Sequence, residues 1–170
     1  ASETELTRSL IRLISPQERV VYFLEGHGES GITAGGQDQM AFSVASETLQ
    51  SKNYIVNSLN LLVTNKIPED ALTIIIAGPQ KPLSSGEVTL LKKYVSEGGS
   101  LVVMENPLVA TEFGDASDPL AAYLEKDWGI TLNNDIIFDL TSQQPLNAIS
   151  AYGNPHPITQ NLSDKYVVIM

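Results

Sequence analysis

Three short apolar runs constrain this chain more than anything else in it: RVVYFL before EGHGE (Arg19 to Glu29), LTIIIA before Gly78, and SLVVM before Glu105–Asn106–Pro107. Each run is too short for a buried helix, rich in β-branched residues, and ends abruptly in Gly, Pro, Glu, His or Asn. Continuous apolar runs of this length fit strands buried on both faces, as in a parallel sheet covered by helices. Ligands of open parallel sheets bind beyond the carboxyl ends of the strands. Those ends carry Glu25, His27, Glu29, Gln80, Glu105 and Asn106, which makes them the candidate ligand-binding residues.

Between the runs the pattern changes to helical spacing. Thr4 to Ile14 places Leu6, Leu10, Leu13 and Ile14 on one face, and Pro16 closes that helix. After strand one, the glycine-rich stretch from Gly26 to Gln37 predicts a loop. Asp38 then caps a predicted helix running to about Lys52, with Met40, Val44 and Leu49 inward. Strand two is expected from Tyr54 to Leu61, a turn from Asn65 to Asp70, and strand three from Leu72 to Ala77. Ser84 and Glu87 form a capping-box pattern ahead of Leu90, Leu91, Tyr94 and Val95, and Gly98–Gly99 stop that helix. Strand four covers Leu101 to Met104. Asp118–Pro119 opens a helix ending near Trp128–Gly129. A fifth strand is expected from Thr131 to Phe138, then a long Pro-containing loop, Ile158–Leu162 and a terminal strand.

Alternating strands and helices predict a three-layer α/β fold with a mostly parallel sheet in the flavodoxin-like order 2-1-3-4-5. That order places the switch point between strands one and three, so the EGHGE, GPQKP and ENP loops meet at one edge. Tyr22, Phe23, Tyr94 and Trp128 read as core. With 170 residues and no internal repeat, the chain reads as a single α/β domain. It begins with Ala1 and stops at Met170 inside an apolar run, as an excised piece of a longer protein would.

Charge and composition exclude several functions. The formal net charge is −10, and Glu105 to Asp139 holds eight acids against the single base Lys126. Such a surface repels phosphates, which argues against nucleic acid and against an anionic membrane face. The chain has no cysteine, hence no thiol nucleophile, disulfide or thiolate metal site. Gly26, Gly28 and Gly31 spell G-x-G-x-x-G after strand one, but Glu25 and Glu29 flank the motif and no acid follows strand two to hold a ribose. No cofactor is expected. A receiver domain would place an Asp where strand three ends in Gly78–Pro79. A hydrolase or amidotransferase would place Cys or Ser where strand four ends in Glu105–Asn106–Pro107.

The remaining cluster is Glu25, His27, Glu29 and Glu105, with His156 as a further member. Two histidines and several carboxylates can bind a divalent ion or do acid–base chemistry. Each also has a plain structural reading. His27 can bond loop backbone, the glutamates can be solvated, and His156 can brace a Pro-rich turn. The acidic stretch reads as a solvated face or as a docking surface for a basic partner.

VVYFLEGHGE, IPEDA, LTIIIAGPQKPLSSGEVTLLKKYVSEGGSLVVMENP and GNPHPITQNL together resemble the auxiliary-component domain of uncharacterised ABC-type transport systems, including those tied to gliding motility. The resemblance spans about Arg19 to Leu162; the glycine-rich insertion Gly31–Gly36 departs from it. It implies a flavodoxin-like, class I amidotransferase-like fold without the nucleophile. It also implies a membrane-anchored parent on the extracytoplasmic (periplasmic) face of a bacterial membrane, with an ABC permease and ATPase as partners. The expected role is non-catalytic, in protein interaction or in binding a small-molecule or sugar ligand. The alternative is a metal-dependent or carbohydrate-active enzyme using the strand-end Glu/His cluster. The family carries over no catalytic residues; its marks here are Glu25 to Glu29 and His156 to Thr159.

Overall fold

The computed structural model describes residues 3–14, 19–32, 42–136, 138, 145, 148–149 and 168–169. The chain divides into two compact units, Ala1–Leu132 and Asn133–Met170. The first contains β1 (Arg19–Leu24), β2 (Tyr54–Leu59), β3 (Ala71–Ala77) and β4 (Ser100–Met104). All neighbours pair in parallel, in the order β2-β1-β3-β4. This is the flavodoxin-like order expected, with the switch point between β1 and β3.

The helices of this unit are α1 (Glu3–Ile14), α2 (Ser43–Ser51), the short α3 (Leu61–Thr64), α4 (Ser85–Ser96) and α5 (Pro119–Trp128). Alternation along β1 builds two cores. Val20, Tyr22 and Leu24 turn to one face, where they meet Ile74 and Ile76 of β3, Val88 and Leu91 of α4, and Leu120, Tyr123 and Leu124 of α5. Val21 and Phe23 turn to the other, with Val56, Phe42 and Leu49. Helices therefore cover both faces of the sheet, which is why β1 is buried from Val20 to Leu24 and β3 keeps Thr73 as its one polar residue. No helix among the described residues is long and apolar enough to cross a membrane.

The helix ends follow from local chemistry. The Ser84–Glu87 capping box is complete, and Asp118 accepts from the N–H groups of Leu120 and Ala121 with Pro119 in the first turn of α5. Gly129 closes α5 with φ +68°, a conformation glycine takes without strain. Other expectations change. α2 starts after Phe42 rather than at Asp38, and Val44 points outward, 73% exposed. Asp38 and Met40 lie outside the described residues. Strand two stops at Leu59 because Asn60 caps a new turn: its side chain accepts from Val63 N–H, and Leu61 begins α3. Leu6 and Leu10 of α1 are exposed, and so is Trp128, which read as core.

The fifth strand, expected from Thr131 to Phe138, is not formed among the described residues: none of 131–136 and 138 is in a strand. β4 is thus the edge of the sheet among the described residues. In the second unit, β5 (Ala148–Ile149) pairs antiparallel with β6 (Val168–Ile169). The expected element Ile158–Leu162 lies outside the described residues.

Candidate functional site

The carboxyl ends of β1, β3 and β4 lie side by side, so the loops that follow them share one edge. The loop after β1 is shaped by its glycines. Gly28 has φ +82°, and a Cβ there would sit 2.9 Å from Cβ of Gln80. This absence of a side chain lets the loop after β1 lie directly on the loop after β3. The N–H groups of Gln80 and Lys81 then both donate to the His27 carbonyl, at 2.8 and 2.9 Å, and Ser30 N–H donates to Ala77.

That docking buries the His27 ring between two carboxylates. Nδ1 lies 3.3 Å from Glu29 Oε1, and Nε2 lies 3.1 Å from Glu87 Oε2. Glu29 also accepts from the His27 N–H at 2.7 Å. Glu87 Oε2 additionally accepts from the N–H and the hydroxyl of Ser84, at 3.0 and 2.8 Å. One carboxylate thus closes the capping box of α4 and holds the loop after β1. His27 is 5% exposed and Glu87 4%.

Glu105, at the end of β4, completes the acidic side of the edge. Burial, with Asp118 and Glu29 nearby, pushes its carboxyl up to about 7. Glu105 Oε1 and Glu87 Oε1 are both buried without a hydrogen-bond partner among the described residues. A carboxyl titrating near neutrality in a cleft is a common mark of functional sites.

The six strand-end candidates therefore divide. His27, Glu29 and Glu105 cluster inward. Glu25 is exposed, with its N–H donating to Leu59. Gln80 is half-buried; its carbonyl accepts from Glu112 N–H. Asn106 is exposed, and its amide rests where a Cβ on Gly78 would be 2.8 Å away. His156 lies outside the described residues. Sequence reasoning gave Glu87 only a capping role and Asp118 only an N-cap. The signal that both reach the site was available: each opens a helix whose N-terminus faces the carboxyl ends of the strands.

The arrangement limits the chemistry. Both nitrogens of His27 face carboxylates, which leaves neither free for a metal or a substrate in this conformation. Among the described residues, no group of three or more His, Asp or Glu is arranged to hold a metal ion. The G-x-G-x-x-G stretch does not open a helix either, since α2 begins only at Ser43.

No curated protein matches the chain. Among solved structures it resembles the mmIFT52 N-terminal domain, with a TM-score of 0.62 and 21% identity. The likeness covers 87% of this chain and 63% of that one, so this chain spans less than two thirds of its neighbour. At that identity the likeness establishes the α/β fold alone. The family model for an ABC-type uncharacterized transport system matches residues 18–167, nearly the whole chain, and the chain belongs to that family.

Proposed function

We propose that this chain is an extracytoplasmic, non-catalytic accessory domain of an ABC-type transport system, anchored through a longer parent, which works by binding a protein partner or a ligand at the strand-end edge. The family match supports an auxiliary role in such a system. The observation that carries the non-catalytic reading is the state of His27, buried and held at both ring nitrogens by Glu29 and Glu87. A histidine so engaged braces the loop and presents its neighbours. Glu25 and Asn106 are exposed on the same edge and are the residues that would touch a partner, with Gln80 beside them. The position after β4 that would carry an amidotransferase nucleophile is Glu105, in line with an amidotransferase-like scaffold put to a binding use. The gliding-motility type of system and the permease and ATPase partners belong to the same proposal.

One observation favours the enzymatic alternative: a carboxyl raised to about 7 at Glu105 suits a general acid. In that reading Glu105→Gln abolishes a hydrolytic activity on glycoside substrates, whereas in the accessory reading no such activity exists to lose.

The experiment is purification of the tagged parent protein in mild detergent. Recovery of an ABC permease and ATPase is expected, with recovery reduced by Glu25→Lys combined with Asn106→Lys. A parent that purifies alone overturns the proposal.

A further inference from the structure

β4 ends the sheet, and its outer edge carries unpaired backbone among the described residues. Which residues face outward follows from one hydrogen bond. Gly78 N–H donates to the Met104 carbonyl at 2.7 Å, so Met104 faces β3. Within a strand, the N–H and C=O of one residue point to the same side, and successive residues alternate. Leu101 and Val103 therefore direct their N–H and C=O groups away from the sheet. Such a row is a template for a further extended chain.

Beside this row, on the α4–α5 face, runs a groove of about 640 Å³. Leu101, Val103, Tyr123, Trp128 and Leu132 line it, and Glu105 adds the one acidic group of its lining. Trp128 is 57% exposed, Ile130 50% and Leu132 41%, and all three line this one groove, so the exposed apolar surface here is contiguous. A lipid tail or small apolar molecule would use these walls but leave the backbone row unpaired. An extended polypeptide would use both at once. The charge fixes its polarity further. Glu105 Oε1 has no hydrogen-bond partner among the described residues, and Asp118 and Glu29 stand close enough to oppose its ionisation, so a cation at this end of the groove would offset that repulsion. A second copy fits poorly here, since it would bring a chain of net charge −10 to an acidic groove end.

We propose that the β4 edge accepts an extended segment of a partner polypeptide as an added strand, with alternate apolar side chains in the groove and a Lys or Arg against Glu105. This rests on the interaction role proposed above but uses a different surface from the loop after β1.

The test is selection of a displayed random peptide library on the whole chain. Recovered peptides are resynthesised and titrated by fluorescence anisotropy, and the free chain is followed by amide hydrogen exchange. Peptides with alternating apolar residues and one basic residue are expected. Their affinity should fall at least about tenfold with Glu105→Lys and with Trp128→Ser, about 1.4 kcal/mol. Exchanging the peptide's basic residue for Glu should restore part of the loss on Glu105→Lys. Glu47→Lys, the same charge change on the exposed side of α2, should leave binding unchanged. Amides of Leu101 and Val103 should exchange fast in the free chain and slowly with peptide bound. Slow exchange at both amides in the free chain overturns the proposal, because the edge is then already paired. So does recovery of no peptide, or of peptides indifferent to Glu105→Lys and Trp128→Ser.

Discussion

His27 Nε2 meets Glu87 Oε2 at 3.1 Å, across 60 positions of sequence, and that contact joins the loop after β1 to the first turn of α4. The same oxygen accepts twice from Ser84. Losing Glu87 therefore removes a helix cap and a buried partner of His27 in one step. Glu87→Ala should destabilise the domain by about 3 kcal/mol, the range for breaking a buried pair. Ser84→Ala, which leaves His27 its partner, should cost about 1 kcal/mol. Because the two residues share one network, their double variant should be less destabilised than the sum, as urea unfolding of all four proteins would reveal. Additive losses would mean that cap and brace are independent.

Glu105 predicts a pH dependence of stability. Its carboxyl stands at about 7 in the folded chain against an ordinary value of 4.5, chiefly because of burial. Between those values the folded state binds more protons than the unfolded state, so this group's contribution to stability falls as pH rises from 4.5 through 7. Above that window the contribution is level. Glu105→Gln, which stays neutral, should remove this slope and leave the domain more stable than the wild type at pH 8. Thermal melts from pH 5 to pH 8 would check it. A wild-type slope that Glu105→Gln leaves unchanged would assign the effect to another group.

The loop after β1 depends on Gly28 twice over, through a φ of +82° and through the 2.9 Å a Cβ would leave to Gln80. Gly28→Ala therefore meets backbone strain and a clash with neighbouring side-chain and loop atoms. A cost of about 1–3 kcal/mol is expected from the strained backbone. Faster amide exchange at Gln80 and Lys81, which donate to the His27 carbonyl, would locate the damage in this contact. Gly114 also has a positive φ but nothing within 4 Å of a would-be Cβ, so Gly114→Ala should disturb no second loop.

Much of this could be read from the residues, and the reasons are local. The apolar runs of β1, β3 and β4 specify parallel strands through their β-branched and aliphatic residues, although β4, expected to be buried on both faces, has no buried residue because it lies at the sheet edge. Ser84–Glu87, Asp118–Pro119 and Gly129 mark helix ends through hydrogen bonds made within four residues. What failed depends on distant partners. The run YIVNSLNL could not reveal that Asn60 would cap a turn and end β2 early. Trp128 looked like core because an aromatic at a helix end normally meets a neighbouring layer, and here no described residue covers it fully. At the site, His27 and Glu29 were legible as a cluster. That Glu87 reaches the same ring was not, since its capping pattern already accounted for it.

The contrast between Leu91 and Val44 tests that distinction between pattern and packing. Both read as inward positions of amphipathic helices. Leu91 is fully buried at 0% exposure, between β1, β3 and α5 in the larger core, whereas Val44 is 73% exposed on α2. Leu91→Ala should cost about 2–5 kcal/mol, through lost burial and the cavity left behind. Val44→Ala removes two methyl groups from solvent and exchanges a β-branched residue for the best helix former, so stability should hold or rise by a few tenths of a kcal/mol. Urea midpoints for the two variants would decide it. A loss above about 1 kcal/mol at Val44 would place α2 with its first turn turned inward, as its sequence pattern suggests.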